Sequence, residues 1–147
     1  MPLVSSNLLS DWAKALVSEL RTAYPNANVT RGRRSGVSRE QRITVFSDGY
    51  GEVAGRVVVA NPVMVIRYWP ARGELAAEDS PADPTELEQA SYDLLRLLEA
   101  RQSQIERAVT DLWYFRPEQA VIDEDPNEWG VEVRLVGFAR NVATSYA

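Results

Sequence analysis

Apolar positions along this chain repeat at two spacings, one helical and one extended. Leu9, Trp12, Leu16 and Leu20 step by three, four and four, which puts them on one face of a helix predicted over residues 8 to 24. Ser5, Ser6 and Asn7 offer capping oxygens before it, and Pro25 after Tyr24 should end it. Its polar face is not basic, so a helix lying on a sheet is expected rather than one lying on a membrane. A second helix is predicted from 84 to about 101. Asp83-Pro84-Thr85-Glu86 supplies an N-cap acid, a proline at the first helical position and a glutamate at N3, and Leu87, Ala90, Leu94 and Leu97/Leu98 supply the apolar stripe.

The extended pattern occupies most of the remainder. Asn28-Val29-Thr30 can begin a strand, and Ile43 to Phe46 is a short one. Ser47-Asp48-Gly49-Tyr50-Gly51 reads as a turn, because Asp-Gly favours the backbone of a tight hairpin. Val53 to Ala60 and Val63 to Trp69, parted by Asn61-Pro62, carry valine on both alternation phases, as central strands covered on both faces do. Arg67 is the odd residue there and is expected to be an edge or interface arginine. Ile105 to Phe115 fits a helical turn leading into an extended aromatic segment, and Glu118 to Asp123 and Trp129 to Phe138 read as the last two strands. In the latter, Trp129, Val131, Val133 and Leu135 alternate with Glu132 and Arg134, the period of a half-exposed antiparallel strand. Asp123 to Glu128 joins the two as a hairpin connection, residues 70 to 83 form a surface loop, and 141 to 147 a short tail.

Helix, strands, helix and terminal hairpin in that order predict an α+β fold: a mostly antiparallel β-sheet flanked by two main helices, with a C-terminal β-hairpin. At 147 residues the chain suits one domain spanning 1–147. No signal peptide is visible at the start and no apolar run is long enough to span a bilayer, so a cytosolic protein with no membrane partner is expected.

Composition narrows the chemistry. Without cysteine or histidine, thiolate metal sites, cysteine nucleophiles, serine triads and the commonest neutral-pH base are all unavailable. Lys14, the only lysine beside fifteen arginines, sits on the polar side of the first helix. Gly49 and Gly51 are followed by no lysine at Walker spacing, so no phosphate loop forms there. Asp123, Asp125, Asn127 and Glu128 present oxygens suited to calcium, but the sixth and twelfth positions of such a loop would be Glu128 and Arg134, where glycine and glutamate are needed. A solvated turn is the expectation, with a metal-dependent nuclease on Asp123, Asp125 and Glu128 as the enzymatic alternative. No enzyme and no cofactor is therefore expected.

The net charge of −5 gives no global attraction to nucleic acid, but residues 31 to 42 carry Arg31, Arg33, Arg34, Arg39 and Arg42 with two glycines and no apolar period. They are predicted to form a flexible loop or a long hairpin tip able to neutralise phosphates without reading bases, or to contact another subunit. Tyr68-Trp69, Trp113-Tyr114-Phe115 and Trp129 are divided between core and subunit contact.

Three stretches carry a family resemblance: Val63-Met64-Val65-Ile66-Arg67-Tyr68-Trp69-Pro70, Leu112-Trp113-Tyr114-Phe115, and Asp123-Glu124-Asp125-Pro126-Asn127-Glu128-Trp129-Gly130-Val131-Glu132-Val133. With the order of elements, they resemble the tail terminators of siphophages that infect actinobacteria, a lambda-like fold. The Arg-rich, Lys-poor composition agrees with such a host. The resemblance implies a structural virion protein: a homo-oligomeric ring, usually a hexamer, that caps the tail tube, stops its polymerisation and meets a head-side connector or stopper. It implies assembly in the host cytoplasm, a place at the head-proximal end of the tail, and the major tail tube protein as partner. DNA passes through the lumen of such rings, which would give Arg31, Arg33, Arg34, Arg39, Arg42 and Arg67 a non-specific lumen contact or a subunit contact. Another head–tail connector (stopper or adaptor) and a general nucleic-acid-binding module are the alternatives.

Overall fold

A computed structural model describes residues 8–36, 38–53, 59–71, 84–125 and 127–140. The elements in chain order are α1 (Leu8–Ala23), β1 (Asn28–Arg31), β2 (Arg42–Val53), β3 (Val59–Trp69), α2 (Pro84–Ala108), β4 (Leu112–Asp123) and β5 (Gly130–Arg140). The strands form one five-stranded sheet in the order β1-β2-β3-β5-β4. Only β1 and β2 run parallel; the other pairs are antiparallel, and β4 and β5 make the closing hairpin. The fold is α+β, as the element order predicts.

Both helices lie on the same face of the sheet, α1 over β1, β2 and β3, α2 over β4 and β5, and they touch each other. Leu8, Trp12, Leu16 and Leu20 from α1 and Leu87, Leu94, Leu98 and Ile105 from α2 are buried against Ile43, Val45, Met64, Ile66, Val131, Val133 and Leu135. Burying these side chains contributes roughly 1.5–3 kcal/mol each relative to exposure. Close approach is set by Gly137, where an added Cβ would lie 2.9 Å from Leu112 Cδ1 and from Pro62 Cγ and 3.1 Å from Trp12 Cη2. At the far end of α2, Glu106 Oε2 accepts the Phe115 N–H at 3.1 Å and Gln102 Nε2 donates to the Phe115 carbonyl at 2.6 Å, tying the helix to the start of β4.

Several expectations are corrected. Asp48-Gly49 does not turn the chain; β2 runs straight through it. Gly49 takes a φ of +74°, and the register slips between Ser47 and Tyr50, so the dipeptide is accommodated as a bulge. Asn61-Pro62 likewise lies inside β3 instead of separating two strands, and Val53 closes β2. Asn61 Nδ2 donates to the Gly137 carbonyl at 3.1 Å, tying this part of β3 to β5. Helix α2 runs to Ala108 and takes in Ile105. The chain then reverses with Asp111 in the left-handed region, and the aromatic segment and the 118–123 strand are one strand, β4. Residues 31 to 42 are no hairpin tip, because they join two parallel strands. The capping box at Asp83, the caps before α1, most of the 70–83 loop and the C-terminal tail lie outside the described residues.

Strands β3 and β5 follow their sequence patterns. β3 is buried on both phases from Val63 to Trp69, and β5 alternates between fully and partly buried positions. Among the described residues, no helix is long and apolar enough to cross a membrane.

Candidate functional site

The candidate site is the sheet face turned away from the helices, with the arginine loop folded across one end. Strand register aligns Thr44 of β2, Arg67 of β3, Glu132 of β5 and Val121 of β4 in one row. Arg67 therefore sits in the middle of the sheet with a side chain only 8% exposed, and the edge position expected for it is wrong. An arginine so placed has to find its partners across neighbouring strands, because burying an unpaired charge is costly. It finds three carboxylates: Glu132 at 3.2 Å, Asp123 at 3.6 Å and Glu128 at 3.8 Å. It also donates to the Glu128 carbonyl and lies 5.0 Å from the centre of the Trp69 ring. Its Nε has no acceptor among the described residues.

This geometry assigns the acidic turn. Asp123 and Glu128 pair with the Arg67 guanidinium. Asp123 and Asp125 also accept backbone N–H groups from Asp125 and Asn127, at 3.1 and 2.9 Å, and so shape the turn. Among the described residues no group of three or more acidic side chains is arranged to hold a metal.

The arginines of the loop divide. Arg31 leaves the end of β1 and donates to Ser10 Oγ on α1 at 3.2 Å. Arg33 pairs with Asp48 at 2.9 Å and lies 4.3 Å over the Phe46 ring. Asp48 also receives Arg134 at 2.8 Å; that hydrogen bond first, and then the charges of Arg134 and Arg33, hold its carboxyl below the usual range. Arg42 opens β2, donating to Glu40 at 3.3 Å and to Ser38 Oγ at 3.4 Å. Arg34 and Arg39 project from the loop and are exposed.

Two hydrogen bonds fasten the loop at Gly36: Trp69 Nε1 donates to the Gly36 carbonyl at 2.5 Å, and the Gly36 N–H donates to Glu128 Oε2 at 3.0 Å. Glu128 thus links loop, turn and Arg67. Between loop and strand lies a cavity of about 370 Å³ lined by Arg34, Ser35, Ser38, Arg39, Glu40, Arg42 and Trp69.

A second surface had no signal in the alternation pattern. β4 is an edge strand of twelve residues whose outer positions are exposed, among them Trp113 (52%), Tyr114 (45%), Val121 (45%) and Ile122 (37%). Of the aromatics divided between core and contact, Tyr68, Trp69, Phe115 and Trp129 are core, whereas Trp113 and Tyr114 face solvent. Pro117 within a run of mixed character marks an edge strand, and is the one local clue that was available. Lys14 is exposed on α1.

The described face combines exposed apolar positions, a cavity lined by arginines and a charge network that holds a loop. Compared with family models and with curated protein sequences, the chain matches none.

Proposed function

We propose that this chain is a non-catalytic structural virion protein, a ring-forming tail terminator that caps a phage tail tube, stops its growth and meets the head-side connector. The observation that carries the reading is the outer edge of β4, on which no other described strand pairs. Long edge strands with apolar side chains on them invite pairing with another chain, and proteins that do not use them usually shorten or cover them. Here β4 is long and carries four exposed large apolar residues, while Arg116, Pro117 and Glu118 at its middle discourage indiscriminate pairing. A closed ring needs two different patches that meet head to tail, and this edge supplies one of them. The likeness of the three quoted stretches to tail terminators supports the same reading.

The double variant Trp113→Glu plus Val121→Lys tests it. Both positions are about half exposed, so the far-ultraviolet circular dichroism and the melting temperature should stay close to those of the parent. Native mass spectrometry in the presence of tail tubes should find rings with the parent chain and none with the variant. Rings that persist in the variant would move the contact elsewhere on the surface. A parent that forms no ring even on tubes would end the reading.

A further inference from the structure

We propose that the cavity between the arginine loop and the end of β3 is an anion site that binds a phosphate group. Arg34, Arg39 and Arg42 line it together with the hydroxyl-bearing Ser35 and Ser38, and the ring of Trp69 forms a wall. Three guanidiniums and one carboxylate, that of Glu40, line it, in a chain whose net charge is −5. Glu40 is itself engaged, accepting from Arg42 at 3.3 Å and from Asn28 Nδ2 at 3.0 Å. Arg34 has no ion pair among the described residues, whereas Arg33, Arg67 and Arg134 of the same face each hold carboxylates.

The donor set selects the ligand. One Arg fork satisfies a planar carboxylate with its two oxygens. Arginines from three chain positions with two serine hydroxyls suit a tetrahedral oxyanion that accepts from several directions. A cavity of about 370 Å³ has room for more than the bare anion and falls at the small end of ligand pockets, which fits a phosphate ester or a diphosphate. The loop is held in place from below, by the Trp69 and Glu128 contacts to Gly36, so much of the site is formed before the ligand arrives. The site stands on these contacts and independently of the terminator reading.

Pyrophosphate titrated into the full chain at low salt, followed by calorimetry and tryptophan fluorescence, tests the site. Saturable binding at one site per chain is expected, with Arg34→Gln weakening it by about tenfold or more, the usual worth of a charged hydrogen bond. Arg34 has no ion pair among the described residues, so this variant is expected to keep its circular dichroism; Arg34→Gln plus Arg42→Gln should abolish binding. Arg107→Gln removes an equal charge from the exposed end of α2 and should leave the affinity unchanged. A short single-stranded oligonucleotide and a polyglutamate peptide are titrated in parallel. Binding of the oligonucleotide but not of pyrophosphate, lost in Arg34→Gln, would place the phosphate in a nucleic-acid backbone and keep the site. Binding of polyglutamate alone, binding of nothing, or equal weakening by Arg107→Gln would overturn it.

Discussion

Trp12→Ala is expected to lower the unfolding free energy by about 3–5 kcal/mol, the range for emptying a large aromatic site in a core. That is a large share of the ~5–15 kcal/mol that holds a typical domain together. Trp12 is fully buried on α1, its ring centre 5.7 Å from that of Phe115, with its far edge over Gly137. It therefore joins α1 to the sheet and to the strand that α2 delivers. The cavity has little means of collapse, because Gly137 has no side chain and the neighbours belong to a hydrogen-bonded sheet. Trp12→Phe should cost much less: it keeps the aromatic contact and removes an indole N–H that has no acceptor among the described residues. Urea unfolding measures both. A shift in midpoint at constant slope is the expected form, and a loss under about 1 kcal/mol for the alanine variant would show that α1 is not anchored through this residue.

The second large effect is at Arg67. Removing one partner from a buried ion pair costs about 3–5 kcal/mol when both partners are buried. Asp123, Glu128 and Glu132 keep a third or more of their exposure, so Arg67→Met is expected to cost less, about 2–3 kcal/mol. Arg67→Lys keeps the charge but loses the fork that serves Glu132 and the Glu128 carbonyl together, and should fall between parent and methionine variant. The effect should also be structural. Glu128 holds Gly36, and Trp69 shares both Arg67 and the Gly36 carbonyl, so the near-ultraviolet signal of Trp69 should change. Adding Glu128→Gln to Arg67→Met should recover part of the lost stability. Strict additivity of the two substitutions would contradict a shared network.

How far the chain could be read before folding depended on whether each signal was local. The helices and β5 were legible because an amphipathic period is written in consecutive residues. The terminal hairpin followed from it. Asp48-Gly49 and Asn61-Pro62 misled because a turn dipeptide states only a local preference. Here the flanking residues of β2 and β3 pair with each other across the dipeptides: β2 absorbs Asp48-Gly49 as a bulge, and Pro62 stays in the ladder opposite Tyr50. The direction of β1 was not legible, since alternation is the same for parallel and antiparallel strands. The continuation of α2 was hidden by the polar run Arg101-Gln102-Ser103-Gln104, whose next apolar contact, Ile105, is one further turn away. At the site, a basic loop was plain from composition. Which arginines it commits was not, because Arg31 and Arg33 find Ser10 and Asp48, and Arg67 of β3 finds Asp123, Glu128 and Glu132, only through tertiary pairing. The exposed edge of β4 was invisible for the same reason: strand order decides it.

Electron microscopy of assembled tails at side-chain resolution tests the terminator reading most directly. A ring of this chain seated on the head-proximal end of the tail tube, with the β4 edge inside the contact between adjacent subunits, is the expected result. The same chain found next to the portal and off the tube, or absent from the tail altogether, would contradict it.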